Sequence, residues 1–155
     1  NDVWNNLLED YTKNGKGKQL LVTGHSLGAA LATLYTDRIN DPKSVCYTFG
    51  SPRVGNKDLI SNMNFTCYRF RNNNDIVTRV PFEWLGFTHK EELKYFNCDG
   101  IVRHGFSRWY MLSQWFKGTY RTLMRDKTWD AFADHSMGEY YNLCKQQLIE
   151  EKLDV

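Results

Sequence analysis

Residues 20–32, Leu-Leu-Val-Thr-Gly-His-Ser-Leu-Gly-Ala-Ala-Leu-Ala, constrain this chain more than any other stretch. An apolar run of β-character ends at Gly24, and a helical pattern starts just after Ser26. Between them stands Gly-x-Ser-x-Gly, the spacing of an elbow that presents a nucleophile between a strand and a helix. The reason for the spacing is steric. A strand that turns abruptly into a helix forces the central residue into a strained backbone conformation. The positions crowding that turn, Gly24 and Gly28, carry no Cβ. The turn lifts the Ser26 hydroxyl clear of the sheet and sets it at a helix start. There the Leu27 backbone N–H and the helix dipole point toward an anion forming beside Ser26. Ala29, Ala30 and Ala32 keep the first helical turns small enough to approach a sheet. The plainer alternative is a glycine-tightened turn in an ordinary α/β domain.

The rest of the chain alternates strand and helix. Trp4, Leu7, Leu8 and Tyr11 share one face of a helix over residues 1–12. A loop at 14–17 leads to a strand over 18–23, the elbow, and a helix to about Ile39. Residues 44–49 read as a second strand, Asn56 as the N-cap of a short helix through Ser61, and 65–70 as a third strand. Such alternation predicts a mostly parallel sheet with helices on both faces. In these sheets functional residues gather at the carboxyl ends of strands, where Ser26 and Asp75 both fall. Further on, Asp99-Gly100 predicts a hairpin turn between 94–96 and 101–103. The last helix begins near Ala133 or Asp134.

Composition narrows the function classes. The chain has 155 residues and a formal net charge of +2, so electrostatics makes no case for a nucleic-acid partner. No apolar run approaches the roughly eighteen residues that span a membrane. Cys46, Cys67, Cys98 and Cys144 are far apart without CxxC spacing, which argues against a metal site. Cys46 and Cys67 read as free, buried thiols in strands, and a Cys98–Cys144 bridge stays open. The chain starts at Asn1, within a helical pattern and without methionine, which leads us to expect a longer parent protein.

A serine hydroxyl needs a base to become a nucleophile. That base is ordinarily a histidine oriented by a carboxylate, and elbows of this kind use the chain order Ser, Asp or Glu, then His. His25 adjoins Ser26 and reads as structural. His135, at the mouth of the last helix, ranks first as base, His104 second and His89 third. Asp75 has the right order and strand-end position for the acid; its plainer role is an Asx-turn. Asp58 reads as a surface-helix residue, Asp99 as a turn residue and Asp134 as a helix N-terminal residue.

Several segments, in order, resemble the class 3, fungal-type triacylglycerol lipases of the α/β-hydrolase fold. Val22-Thr23-Gly24-His25-Ser26-Leu27-Gly28 resembles the elbow of that family, and Tyr47-Thr48-Phe49-Gly50-Ser51-Pro52-Arg53-Val54-Gly55-Asn56 its next strand and turn. Tyr68-Arg69-Phe70, Asn72, Asp75-Ile76-Val77 and Pro81 resemble the acid-bearing segment. Gly86-Phe87-Thr88-His89 resembles a region where the histidine is structural, and Asp134-His135 with Tyr140 the base-bearing segment. Ala29 departs from a second glycine usual after the elbow. The resemblance implies Ser26 as nucleophile, Asp75 as acid, His135 as base and the Leu27 N–H as an oxyanion donor, without a cofactor or metal.

It also implies one α/β-hydrolase domain over residues 1–155 that lacks the family's amino-terminal strands, lid and second oxyanion donor. The expected activity is carboxylic ester hydrolysis on a lipid or ester substrate through an acyl-enzyme. The alternatives are an acyl-binding or interaction module without turnover, and a phospholipase A1 or acyltransferase using the same triad. Residues 106–129 fall outside the resemblance. There Trp109, Leu112, Trp115, Phe116 and Tyr120 recur at helical spacing among Arg108, Lys117, Arg121 and Arg125. A packing insertion with snorkelling basic residues is favoured; transient contact with a lipid surface is the alternative.

Overall fold

The computed structural model describes residues 2–90, 93–103, 107–124 and 134–153. Five strands form the main sheet in the order β1-β2-β4-β6-β7: β1 Leu21–His25, β2 Val45–Phe49, β4 Thr66–Asn72, β6 Leu93–Phe96 and β7 Val102–Arg103. β1, β2, β4 and β6 run parallel, and β7 closes the far side antiparallel to β6. A small antiparallel pair, β3 Gly55–Asn56 with β5 Phe87–Thr88, stands apart. This is the expected α/β arrangement, with β1 at one edge of the described sheet.

Side-chain alternation divides the sheet into two faces. On one, Cys46 and Cys67 face each other across β2 and β4 and pack with Ala32, Ile60, Met63 and Phe65. Burying a side chain such as Phe65 contributes about 1.5–3 kcal/mol. Helices α2 Leu27–Ile39 and α3 Lys57–Asn62 bring Ala32 and Ile60 to this cluster. As expected, Asn56 caps α3, its side chain accepting from the Leu59 N–H at 2.9 Å. The opposite face is aromatic: Tyr47 stacks on Tyr68, Phe49 on Phe70, and Phe70 on Phe96. The last helix, α5 Met137–Leu153, lays Tyr140 against Phe49 and Phe96. Helices therefore cover both faces.

Helix α1, Asp2–Asp10, docks on α2 through Trp4, which meets Tyr35 edge-on and carries the Arg38 guanidinium 4.3 Å above its ring. Helix α4, Arg108–Met124, packs on the β6–β7 hairpin through Tyr110, whose hydroxyl accepts from Asn97, and through a Lys117–Asp99 pair of 2.9 Å. All four cysteines are free, Cys98 and Cys144 included. The Cys67 thiol is pushed well up by its hydrogen bond with Cys46 and by burial, so it stays protonated.

Three expectations need correction. The first strand ends at His25 rather than Thr23, because parallel pairing carries Gly24 opposite Thr48 and His25 opposite Phe49. The third strand runs on to Asn72, since β6 pairs with Arg71 and Asn72. The last helix starts at Met137, not at Ala133 or Asp134: Ser136 caps it, accepting from the Glu139 N–H at 3.2 Å. Ala133 itself lies outside the described residues.

Candidate active site

The elbow forms where the sequence places it. Ser26 has φ 57° and ψ −129°, a strained conformation for a residue with a side chain, held by its N–H donating to Phe49 O at 3.0 Å. A Cβ on Gly24 would stand 2.3 Å from Gly28 O, so only glycine lets α2 press against β1. Gly28 is different. A Cβ there meets nothing within 4 Å, and crowding does not account for it. Ser26 occupies the N-cap position, yet its hydroxyl caps nothing. The first helical bonds come from the Ala29 and Ala30 N–H groups to Ser26 O, leaving the Leu27 N–H at the open helix start.

The hydroxyl is turned instead to His135 Nε2, 2.8 Å away. His135 Nδ1 lies 3.0 and 2.9 Å from the two carboxylate oxygens of Asp75. An ionised carboxylate only accepts, so Nδ1 carries the proton and Nε2 is left to accept from Ser26. Asp75 is fully buried, and His135 keeps 16% of its side chain exposed. Ser26, Asp75 and His135, far apart in the chain, thus form one continuous hydrogen-bonded line.

Neighbours fix that line from every side. Asp75 Oδ1 also accepts from the Val77 N–H at 2.9 Å, so the Asx-turn and the partnership with histidine coexist. Asp75 Oδ2 accepts from the Tyr140 hydroxyl at 2.6 Å, and that oxygen in turn accepts from the Asn72 N–H at 2.9 Å. Burial and the adjacent Asp75 charge push the Tyr140 phenol up, which keeps it a donor. His25 Nε2 donates to His135 O at 2.7 Å, with the two rings 4.7 Å apart.

Asp134 is not a helix N-terminal residue. Its carboxylate accepts from the Asn74 N–H at 3.0 Å and from Asn73 Nδ2 at 3.5 Å, while its carbonyl accepts from Asn72 Nδ2 at 3.1 Å. The loop bearing His135 is thereby clasped to the end of β4. Gly50, with φ 60°, closes the remaining side: a Cβ there would come within 2.8 Å of Asp75 Oδ2 and 2.9 Å of His135 Nδ1. Sequence reasoning missed these supports. Their signals were the Asn72-Asn73-Asn74 run ahead of Asp75 and a glycine directly after β2.

Among the described histidines, His89 takes no part. His89 Nε2 donates to Thr78 O at 2.8 Å, and burial beside Arg69 pushes it down to about 3, leaving it neutral. His104 lies outside the described residues. Asp58 is exposed on α3, and Asp99 sits in the hairpin turn. Among the described residues, no three His, Cys, Asp or Glu side chains gather to hold a metal, and no helix is long and apolar enough to cross a membrane.

Comparison with known proteins places this geometry. A model of the family Lipase (class 3) matches residues 1–85. Triacylglycerol lipase OBL1 of Ricinus communis is 38% identical over 96 residues, covering 52% of this chain and 18% of that protein. Secreted mono- and diacylglycerol lipase A of Penicillium cyclopium is 35% identical over 87 residues, covering 53% of this chain and 28% of its own. The crystal structure of the mono- and diacylglycerol lipase from Aspergillus oryzae superposes with a TM-score of 0.61 at 26% identity, over 86% of this chain and 52% of that one. The chain thus spans less than a third of the two curated relatives and about half of the solved structure. Its fold is that of an α/β-hydrolase, and the chain belongs to the class 3 lipase family.

Proposed function

We propose that this chain carries the nucleophile, base and acid of a carboxylic ester hydrolase that cleaves acylglycerol esters. The observation that carries the proposal is the unbroken hydrogen-bonded line from Ser26 through His135 to Asp75. Ser26 Oγ attacks the ester carbonyl carbon while its proton passes to His135 Nε2. Asp75 stabilises the resulting imidazolium across Nδ1. The carbonyl oxygen, now negative, takes the Leu27 N–H and the positive end of α2. His135 then gives its proton to the departing alcohol oxygen, leaving an acyl group on Ser26. Water, activated by the same imidazole, displaces Ser26 and releases the fatty acid.

This route needs no metal or organic cofactor. A module that binds acyl chains without turnover has no use for a base held in one tautomer against the serine. Phospholipase A1 and acyltransferase chemistry would use the same three residues and differ in the acyl acceptor and head group. In the same proposal, contact with a lipid surface falls to α4, where Trp109 is 79%, Phe116 59% and Tyr120 61% exposed.

The test is fluorophosphonate labelling with p-nitrophenyl ester turnover in the full protein. Labelling and turnover should both vanish in Ser26→Ala; retained labelling would remove Ser26 from the role. A second oxyanion donor outside this chain predicts that the chain by itself turns over esters more slowly than the full protein, by about two to three orders of magnitude. Equal rates would discard that idea. Liposome co-sedimentation of Trp109→Ala reports on the α4 contact, and unchanged binding would remove it.

A further inference from the structure

A second group of side chains, unused by the site above, converges on a cavity of about 630 Å³ whose walls include neither Ser26 nor His135. Arg53, Arg71 and Arg79 line it together, and Glu83 is the only carboxylate among its described walls. That carboxylate is already engaged, with Arg53 Nη2 donating to Glu83 Oε1 at 2.6 Å. Arg53 also donates to the carbonyls of Arg79 and Pro81 and so serves as a brace.

Among the described residues, Arg71 and Arg79 are left without a counter-charge in the cavity. Arg71 reaches Asn73 O only at a long 3.4 Å, lies 5.7 Å from the Tyr95 ring centre, and has a buried Nε with no partner. The Arg79 guanidinium has no acceptor among the described residues. Asp75 tempers the Arg71 charge from a distance, but its oxygens are taken by His135, Val77 and Tyr140. Arg69, two residues before Arg71 on β4 and with its own Nε unpartnered, is pushed down to about 10 by burial and by the Arg71 charge. Like charges brought together out of water repel, and an anion placed between them removes the repulsion while filling the empty donors.

The mouth of the cavity has the opposite character. Phe82 and Trp84 stack at 6.1 Å, 50% and 80% exposed, and Met111 and Leu112 of α4 add further apolar lining. A cationic floor under an apolar mouth fits one kind of ligand. We propose that this cavity binds an amphiphile with an oxyanion head, a carboxylate or a phosphate, held by Arg71 and Arg79. Its acyl chain leaves between Phe82–Trp84 and α4.

Calorimetric titration of the full protein tests this with octanoate, octyl phosphate, inorganic phosphate and 1-octanol. Either octyl anion should bind at least tenfold more tightly than octanol or inorganic phosphate, and the tighter of the two names the head group. Arg79→Gln should weaken the anion at least tenfold, with Arg79→Lys recovering most of the loss. Glu83→Gln, a change at an exposed side chain that carries little folding risk, should tighten it severalfold by freeing Arg53. Octanol or inorganic phosphate binding as tightly as octyl phosphate would overturn the proposal. So would anion affinities unchanged in both Arg79→Gln and Glu83→Gln.

Discussion

The Tyr140 hydroxyl donates to Asp75 Oδ2 at 2.6 Å, joining α5 to the same carboxylate oxygen that receives His135 Nδ1. Tyr140→Phe keeps the ring against Phe49 and Phe96 but strands the buried Asn72 N–H and takes one of the two donors from Asp75 Oδ2. Leaving a buried donor or acceptor unmet costs about 1–3 kcal/mol. The variant should lose that much stability by urea denaturation. Its kcat/KM for a p-nitrophenyl ester should fall about tenfold, since one orienting bond of the acid is lost. An unchanged kcat/KM would show that Asp75 holds its place without the tyrosine.

Gly50→Ala should be worse for activity than for folding. The methyl group would enter contact distance of both Asp75 Oδ2 and His135 Nδ1, at a backbone φ of 60° that disfavours side chains. We expect a stability loss of roughly 1–2 kcal/mol from the backbone alone. Displacing the acid–base pair by a fraction of an ångström should cost about 10²-fold in ester turnover.

Asp75→Asn removes the acceptor that fixes the His135 tautomer. The amide donates to Nδ1, moves the ring proton to Nε2 and leaves nothing to take the Ser26 proton. Turnover should fall by about 10³–10⁴-fold. Fluorophosphonate labelling rates should fall in parallel, because both depend on the same proton transfer.

His89 should make the fold sensitive to acid. Its folded pKa of about 3 lies below the ordinary 6.5, so the unfolded chain binds the extra proton between those values. Stability from neutral His89 is complete above pH 6.5 and declines as pH falls toward 3, by up to ~1.4 kcal/mol per unit. His89→Gln, whose amide can still donate to Thr78 O, should flatten that decline by about one proton. Denaturation midpoints measured across pH 4–7 would test it; parallel pH profiles for the two proteins would refute it.

Local signals made much of this structure legible beforehand. The elbow declares itself because Gly24 must be small where Gly28 O approaches it, and Asn56 declares α3 because it caps it. Long-range constraints wrote themselves less clearly. Strand β4 runs on past the expected residue 70 into the polar Arg71 and Asn72, because β6 arrives to pair with them. Asp134 looked like a helix start because its true partners, Asn72, Asn73 and Asn74, lie about sixty positions earlier. The arginine cavity was invisible for the same reason: Arg53, Arg71 and Arg79 are scattered in sequence, and only the sheet and its turns gather them.

The clasp between Asp134 and the three asparagines has an architectural consequence. The Asp75 N–H donates to Asn72 O at the end of β4, the carbonyl of Asp134 beside His135 accepts from Asn72 Nδ2, and His135 is moored again to His25. The polypeptide between those moorings can therefore lengthen, shorten or be exchanged without passing strain to the base. Chimaeras that graft a new segment between Phe96 and Asp134 should keep the reactive centre in register. The same scaffold is in this sense a socket, with its chemistry on one side of the clasp and exchangeable surface on the other.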